Sequence, residues 1–229
     1  MGAWVTLHVF DPEKFQNELV PRLKGQKGGL EADYQRYLKT CVGHRSNLNI
    51  EQIINISLQF DDTLGHFSGY PGKTNSEEFW DFFDWHYEYA RFFTVMIFTH
   101  CADLYPYFRT GKIGIAGRMN YKKVSSLAKD ILWHLYDYRH FSPHGMGITG
   151  WLTQKEMELL VLDFDNIYDD DYFEMRNEVE VFVKKIAAQK LSILQTIDVN
   201  QTGLAKILPQ TQVSNLHWKD QHWEYLCYE

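Results

Sequence analysis

Residues 79–108 read FWDFFDWHYEYARFFTVMIFTHCADLYPYF, and thirteen of these thirty residues are aromatic. The polar positions Asp81, Asp84, Glu88, Arg91 and Thr99 fall mostly at three- and four-residue steps. That spacing puts them on one narrow stripe of an α-helix, with apolar or aromatic side chains everywhere else. A helix with so wide an apolar surface has to be covered on several sides. The stretch therefore predicts a central aromatic-rich helix over about 77–105, capped by Ser76 and closed by Pro106.

On the N-terminal side, Trp4–Phe10 alternates and is rich in β-branched and aromatic residues, the pattern of a strand. Asp11-Pro12-Glu13 is a helix start: an N-cap acid, proline at the first helical position, then a second acid. Phe15, Leu19 and Leu23 share one face of that helix, which Pro21 kinks or ends. Further helices fit Leu30–Cys41 and Ile50–Phe60, the second capped by Asn49 with Ile53, Ile54 and Leu58 inward.

On the C-terminal side, a glycine-spaced linker (110–118) leads to an amphipathic helix from Tyr121 to Arg139 or near it. Its predicted inner face is Val124, Leu127, Ala128, Ile131, Leu132 and Leu135. So short a linker predicts antiparallel packing against the aromatic helix. Ser142–Gly150 reads as a loop, and Thr153 with Glu156 as a capping box for a helix over 154–162. An acidic segment precedes a helix over 172–190. Leu191–Val199 is strand-like or extends that helix, and His222–Tyr228 alternates as a last strand. Together these predict a single α+β domain, 1–229, mainly helical. Its multi-helix core surrounds the aromatic helix, with a small antiparallel sheet from the N-terminal and C-terminal strands.

A net charge of -7 argues against a general nucleic-acid binder, which needs a basic footprint. Cys41, Cys101 and Cys227 are odd in number and far apart, which suits reduced thiols in a cytoplasmic protein. The opening residues lack the pattern of a signal peptide. The apolar run Val95–Phe98 is far too short for a membrane span.

Three groups of residues bear on chemistry. His134, His140 and His144, with His86 and His100 on the aromatic helix, could supply metal ligands from facing helices. Ser142-Pro143 breaks the spacing between His140 and His144, so local hydrogen bonding competes with that reading. A twelve-residue calcium loop starting at Asp163 fails at Ile167, Tyr168 and Asp170. From Asp163 to Glu180, however, eight acids stand against Arg176 alone, with aromatic residues between them. Asp163, Asp165, Tyr168, Asp169, Asp170, Asp171, Tyr172 and Glu174 would make a surface for a basic protein partner. The competing reading turns the rings inward and the acids to water.

The 110–118 glycines match no phosphate-binding loop, and His222 and Cys227 face opposite sides of a strand. The expectation is a non-enzymatic binding protein of the immunity or inhibitor type, without a cofactor or membrane partner. The alternatives are a metal-dependent hydrolase using the histidines around 134–144, or a structural subunit of a larger assembly. An aromatic excess also suits a homo-oligomer.

Overall fold

A computed structural model describes residues 5–40, 48–58, 60–61, 66–67, 77–111, 115, 123–135, 147–166, 173–199, 208 and 213–214. At 60–61, 66–67, 77–87, 106, 109, 111 and 173–176 it describes the backbone alone. The chain runs β1 (Val5–Phe10), α1 (Pro12–Lys14), a π turn (Phe15–Leu19), α2 (Val20–Leu23), α3 (Leu30–Thr40) and α4 (Ile50–Leu58). A two-stranded ribbon, β2 (Phe60–Asp61) with β3 (His66–Phe67), precedes α5 (Glu77–His100) and β4 (Ala102–Gly111). Then come α6 (Ser126–His134), β5 (Gly147–Trp151), α7 (Gln154–Leu162), a 3-10 turn (Phe164–Asn166), α8 (Phe173–Ala188) and β6 (Ser192–Ile197). The fold is α+β.

The main sheet has the order β4-β1-β6-β5, and every neighbouring pair is antiparallel. Opposed residues share a face, so Thr6, His8 and Phe10 lie with Thr196, Leu194 and Ser192 on one side. Val5, Leu7 and Val9 lie with Ile197, Gln195 and Ile193 on the other. Phe10 and Leu194 join a core with the π turn and the helices from α2 to α5, whereas Leu7, Val9 and Ile193 join a second core with α6, α7 and α8. Every residue of β1 is buried, as a strand covered on both faces requires. The described helices thus form two layers with the sheet between them, where the sequence suggested one helical core.

In the first layer Tyr89, Phe92, Phe93, Ile97 and Phe98 of α5 are fully buried. Phe92 meets Tyr34 and Tyr37 of α3 at 5.1 and 5.5 Å, Phe93 meets Phe15 and Trp151, and Phe98 stands edge-on to His8 at 4.9 Å. Glu88, on the expected polar stripe, is buried too and accepts a hydrogen bond from the Tyr37 hydroxyl at 3.2 Å.

Several expectations need correction. The aromatic helix stops at His100, and 102–111 is a strand. Pro106 does not end the helix; it lies in a bulge of β4. Ala102 pairs with Phe10 and Tyr107 with His8, so residues 103–106 oppose Val9 alone. An edge strand tolerates proline there because the bulge asks for no ladder N–H. Gly147–Trp151 is a strand instead of a loop, because Ile148 and Trp151 pair with Thr196 and Leu194 despite the intervening glycine. Finally, α6 is shorter than Tyr121–Arg139. Ser125 caps it by accepting the Ala128 N–H at 3.1 Å, and its apolar face belongs to the second core, not to the α5 side. Leu127 and Leu58, expected inside, are 51% and 58% exposed.

Local signals elsewhere match what forms. Asp11 accepts the Lys14 N–H at 2.9 Å, and Thr153 and Glu156 complete a capping box. Asn49 and Gln52 cap α4 reciprocally, each backbone N–H donating to the other's side chain at 2.9 Å. Pro21 has no N–H for the Asn17 carbonyl, and that oxygen accepts the Lys27 ammonium at 2.7 Å instead. The widened π turn sits directly before it. Leu191–Val199 resolves as strand β6, set off from α8 by Lys190 at φ 58°. Ser76 and His222–Tyr228 lie outside the described residues. Among the described residues no helix is long and apolar enough to cross a membrane.

Candidate functional site

The acidic segment begins where α7 ends. Asp163 follows α7, and its carboxylate accepts the Ser125 hydroxyl at 2.6 Å and the Asn166 amide at 2.8 Å. Burial pushes this carboxyl up, but hydrogen bonds from Ser125 and Asn166 outweigh it and leave the pKa below its ordinary value. Since Ser125 also caps α6, the pair ties the end of α7 to the start of α6 and sets a negative charge near a helix N-terminus. Asp163 is therefore occupied by the fold.

Asp165 is exposed beside buried Phe164, so at this turn the ring faces inward and the acid outward. Tyr168, Asp169, Asp170, Asp171 and Tyr172 lie outside the described residues. Glu174 is placed by its backbone in the first turn of α8. Farther along α8, Glu178 is exposed and Glu180 pairs with Lys184.

The sequence reading missed the apolar residues around this corner. Leu162 is 82% exposed beside Asp163, and half-exposed Leu127 is two positions after Ser125. Val181 on α8 is also exposed. Helical spacing could have found Leu162, because Met157 and Leu160 face the core and a residue two positions beyond Leu160 points away from it. Leu127 gave no such signal, since it occupies an apolar-face position at the start of α6.

The histidine group does not assemble among the described residues. His134 Nδ1 lies 2.5 Å from Glu156 Oε1, and the other oxygen of Glu156 accepts the Thr153 N–H and hydroxyl at 2.7 and 2.9 Å. Glu156 is thus fully engaged. The His86 side chain, His140 and His144 lie outside the described residues. Among the described residues no three His, Cys, Asp or Glu side chains form a metal-holding group.

Two other polar clusters surround α5 and β1. The Asp33 carboxylate meets Arg22 at 2.8 Å, with Arg36 and His100 each at 3.7 Å. Burial lowers the His100 pKa, while Asp33 opposes the shift. In the sheet, the carbonyls of Asp103 and Leu104 lie 3.1 and 3.2 Å from His8 Nδ1, so that nitrogen carries the proton and donates. Nε2 then accepts from Thr6 at 2.9 Å, and Thr6 and Thr196 join their hydroxyls at 2.7 Å. Burial brings the His8 pKa down to about 4 against the pull of the two carbonyls, so the ring is neutral at pH 7.

A neutral imidazole nitrogen on a hydroxyl is general-base geometry. Here Thr6, His8 and Thr196 are all fully buried, so this network joins β1 to β6 inside the sheet. Cys101 is buried as well, and burial raises its thiol pKa well above the ordinary value, which keeps it protonated and unreactive.

No protein-family model matches this sequence, and comparison with curated proteins and with solved structures finds no significant match.

Proposed function

We propose that this chain is a non-enzymatic, single-domain cytoplasmic protein that binds and neutralises a basic protein partner, in the manner of an immunity or inhibitor protein. The interaction surface is the acidic segment from Asp163 to Glu180 with its tyrosines, extended by the leucines beside it. One observation carries the reading: Leu162, 82% exposed, stands at the head of a segment with eight acids and one base. Acidic charge accelerates the encounter with a basic surface, and buried apolar anchors hold the complex. Covering a leucine on binding contributes about 2 kcal/mol. Asp163 supports this surface by fixing the α6–α7 corner, while Asp165 and Asp169–Asp171 supply its charge.

The test starts from a tagged chain expressed in its native cell and the protein that stays attached through purification. Leu162→Ser and Asp165→Lys, both at exposed positions, should each weaken the purified complex by about tenfold. A partner without a basic surface, or unchanged affinity in both variants, refutes the proposal.

A further inference from the structure

His100 closes α5, and its Nε2 is buried without a hydrogen-bond partner. Asp33 Oδ2 on α3 lies 3.7 Å from that nitrogen, an ion-pair distance too long for a hydrogen bond. Arg22 at the end of α2 already holds the same oxygen, with Nη1 at 2.8 Å. Arg36 stands 3.7 Å from Oδ1 and is largely exposed. Burial is the largest influence on the His100 ring and disfavours its charged form. Among the described residues Asp33 favours that form, Arg22 disfavours it, and Glu18 in the π turn favours it. The Asp33 side chain is only 7% exposed, so water is a poor substitute partner and one buried oxygen faces two claimants.

The claimants differ in freedom. His100 is fixed at a helix end, beside fully buried Cys101. Arg22 has a long stem and is 28% exposed. Its guanidinium crosses the 24–29 turn so closely that a Cβ on Gly29 would lie 2.5 Å from Nη1.

We propose that Arg22 and His100 compete for Asp33 Oδ2, so that protonation of His100 hands this oxygen to the ring and releases Arg22 from the 24–29 turn. With the ring neutral, Arg22 is the cation at hydrogen-bond distance, and it ties α2 to α3. A protonated ring donates from both nitrogens, and Nε2 needs to approach by about 1 Å to bond Oδ2. Two cations on one oxygen repel, and the one with a path to water leaves. Burial lowers the His100 pKa below 6.5, so the neutral arrangement holds above that pH and gives way as pH falls through the lowered value. The device is a proton-sensitive latch on the α2–α3 connection.

NMR on the full chain with 15N-labelled arginine and histidine, titrated from pH 7 towards pH 4, tests this. Rotation of the Arg22 guanidinium, slow while Asp33 holds Nη1, should become fast with the same midpoint as the His100 ring titration. In His100→Gln that step should be absent. In Arg22→Gln, which removes both the opposing cation and the competitor, the His100 midpoint should rise. A guanidinium that stays slow while the ring titrates, or loosens at the same pH in His100→Gln, overturns the proposal. So does an unchanged His100 midpoint in Arg22→Gln, and so does a ring that stays neutral until the fold is lost.

Discussion

Acidification should unfold this protein partly through His8. The ring is fully buried and its pKa falls from 6.5 to about 4, chiefly because burial disfavours the charged form. A depressed folded-state pKa contributes stability that is present above pH 6.5 and lost as pH falls through about 4. At about 1.4 kcal/mol per pH unit, the gap is worth about 3 kcal/mol in all, of which about 2 should be gone at pH 5. His100 shifts in the same direction and Asp103 in the opposite one, so the raw pH dependence is a sum. The informative quantity is the difference between wild type and His8→Gln, which removes the titrating ring but keeps a donor and an acceptor. Urea unfolding at pH 7, 6, 5 and 4 should show the variant less stable at neutral pH, with the two curves converging on acidification by about 3 kcal/mol. Parallel curves would refute the neutral, buried assignment of His8.

Three smaller effects follow from local geometry. Gly29 sits at φ +100°, and a Cβ there would lie 2.5 Å from Arg22 Nη1, so Gly29→Ala should cost about 2 kcal/mol in urea unfolding and loosen the Arg22–Asp33 pair. An unchanged midpoint would contradict this. Lys190 ends α8 in the left-handed region that glycine favours, with Leu191 N–H bonded to the Ile186 carbonyl and Lys190 N–H to that of Ala187. Lys190→Gly should therefore stabilise the fold by about 0.5–1 kcal/mol, and a lower thermal midpoint would count against it. Ser125→Ala and Asp163→Ala should each cost about 1 kcal/mol, with the double variant little worse than either. Full additivity would mean that the two side chains do not act through each other.

The sequence disclosed most where a local rule had no competitor. The caps at Asp11, Asn49 and Thr153 rest on neighbours three residues away, and all three form. The first strand was legible from its β-branched and aromatic residues, whereas 191–199 read either as a strand or as an extension of the preceding helix, and it is a strand over Ser192–Ile197. The failures arose where long-range pairing overrode local signals. Pro106 and the glycines at 147 and 150 look like terminators in isolation. They become parts of strands only because β1 and β6, distant in sequence, offer ladders. Leu127 looked internal because Val124 and Ile131, at helical spacing from it, are buried, yet it is half-exposed. Of the acidic surface, composition showed the charge but not the division of labour. Asp163 is engaged by Ser125, a partner 38 positions away that no spacing rule connects to it.

The central claim is that the acidic segment binds a basic protein, and salt dependence tests it most directly. The affinity of the partner that co-purifies with the chain should be measured by titration calorimetry at low and high salt. The same is done for a variant carrying Asp169→Lys, Asp170→Lys and Asp171→Lys. The account predicts binding that weakens with salt in the wild type, and a variant at least about tenfold weaker at low salt with a flatter salt response. Equal affinity and equal salt dependence in the two proteins would contradict it.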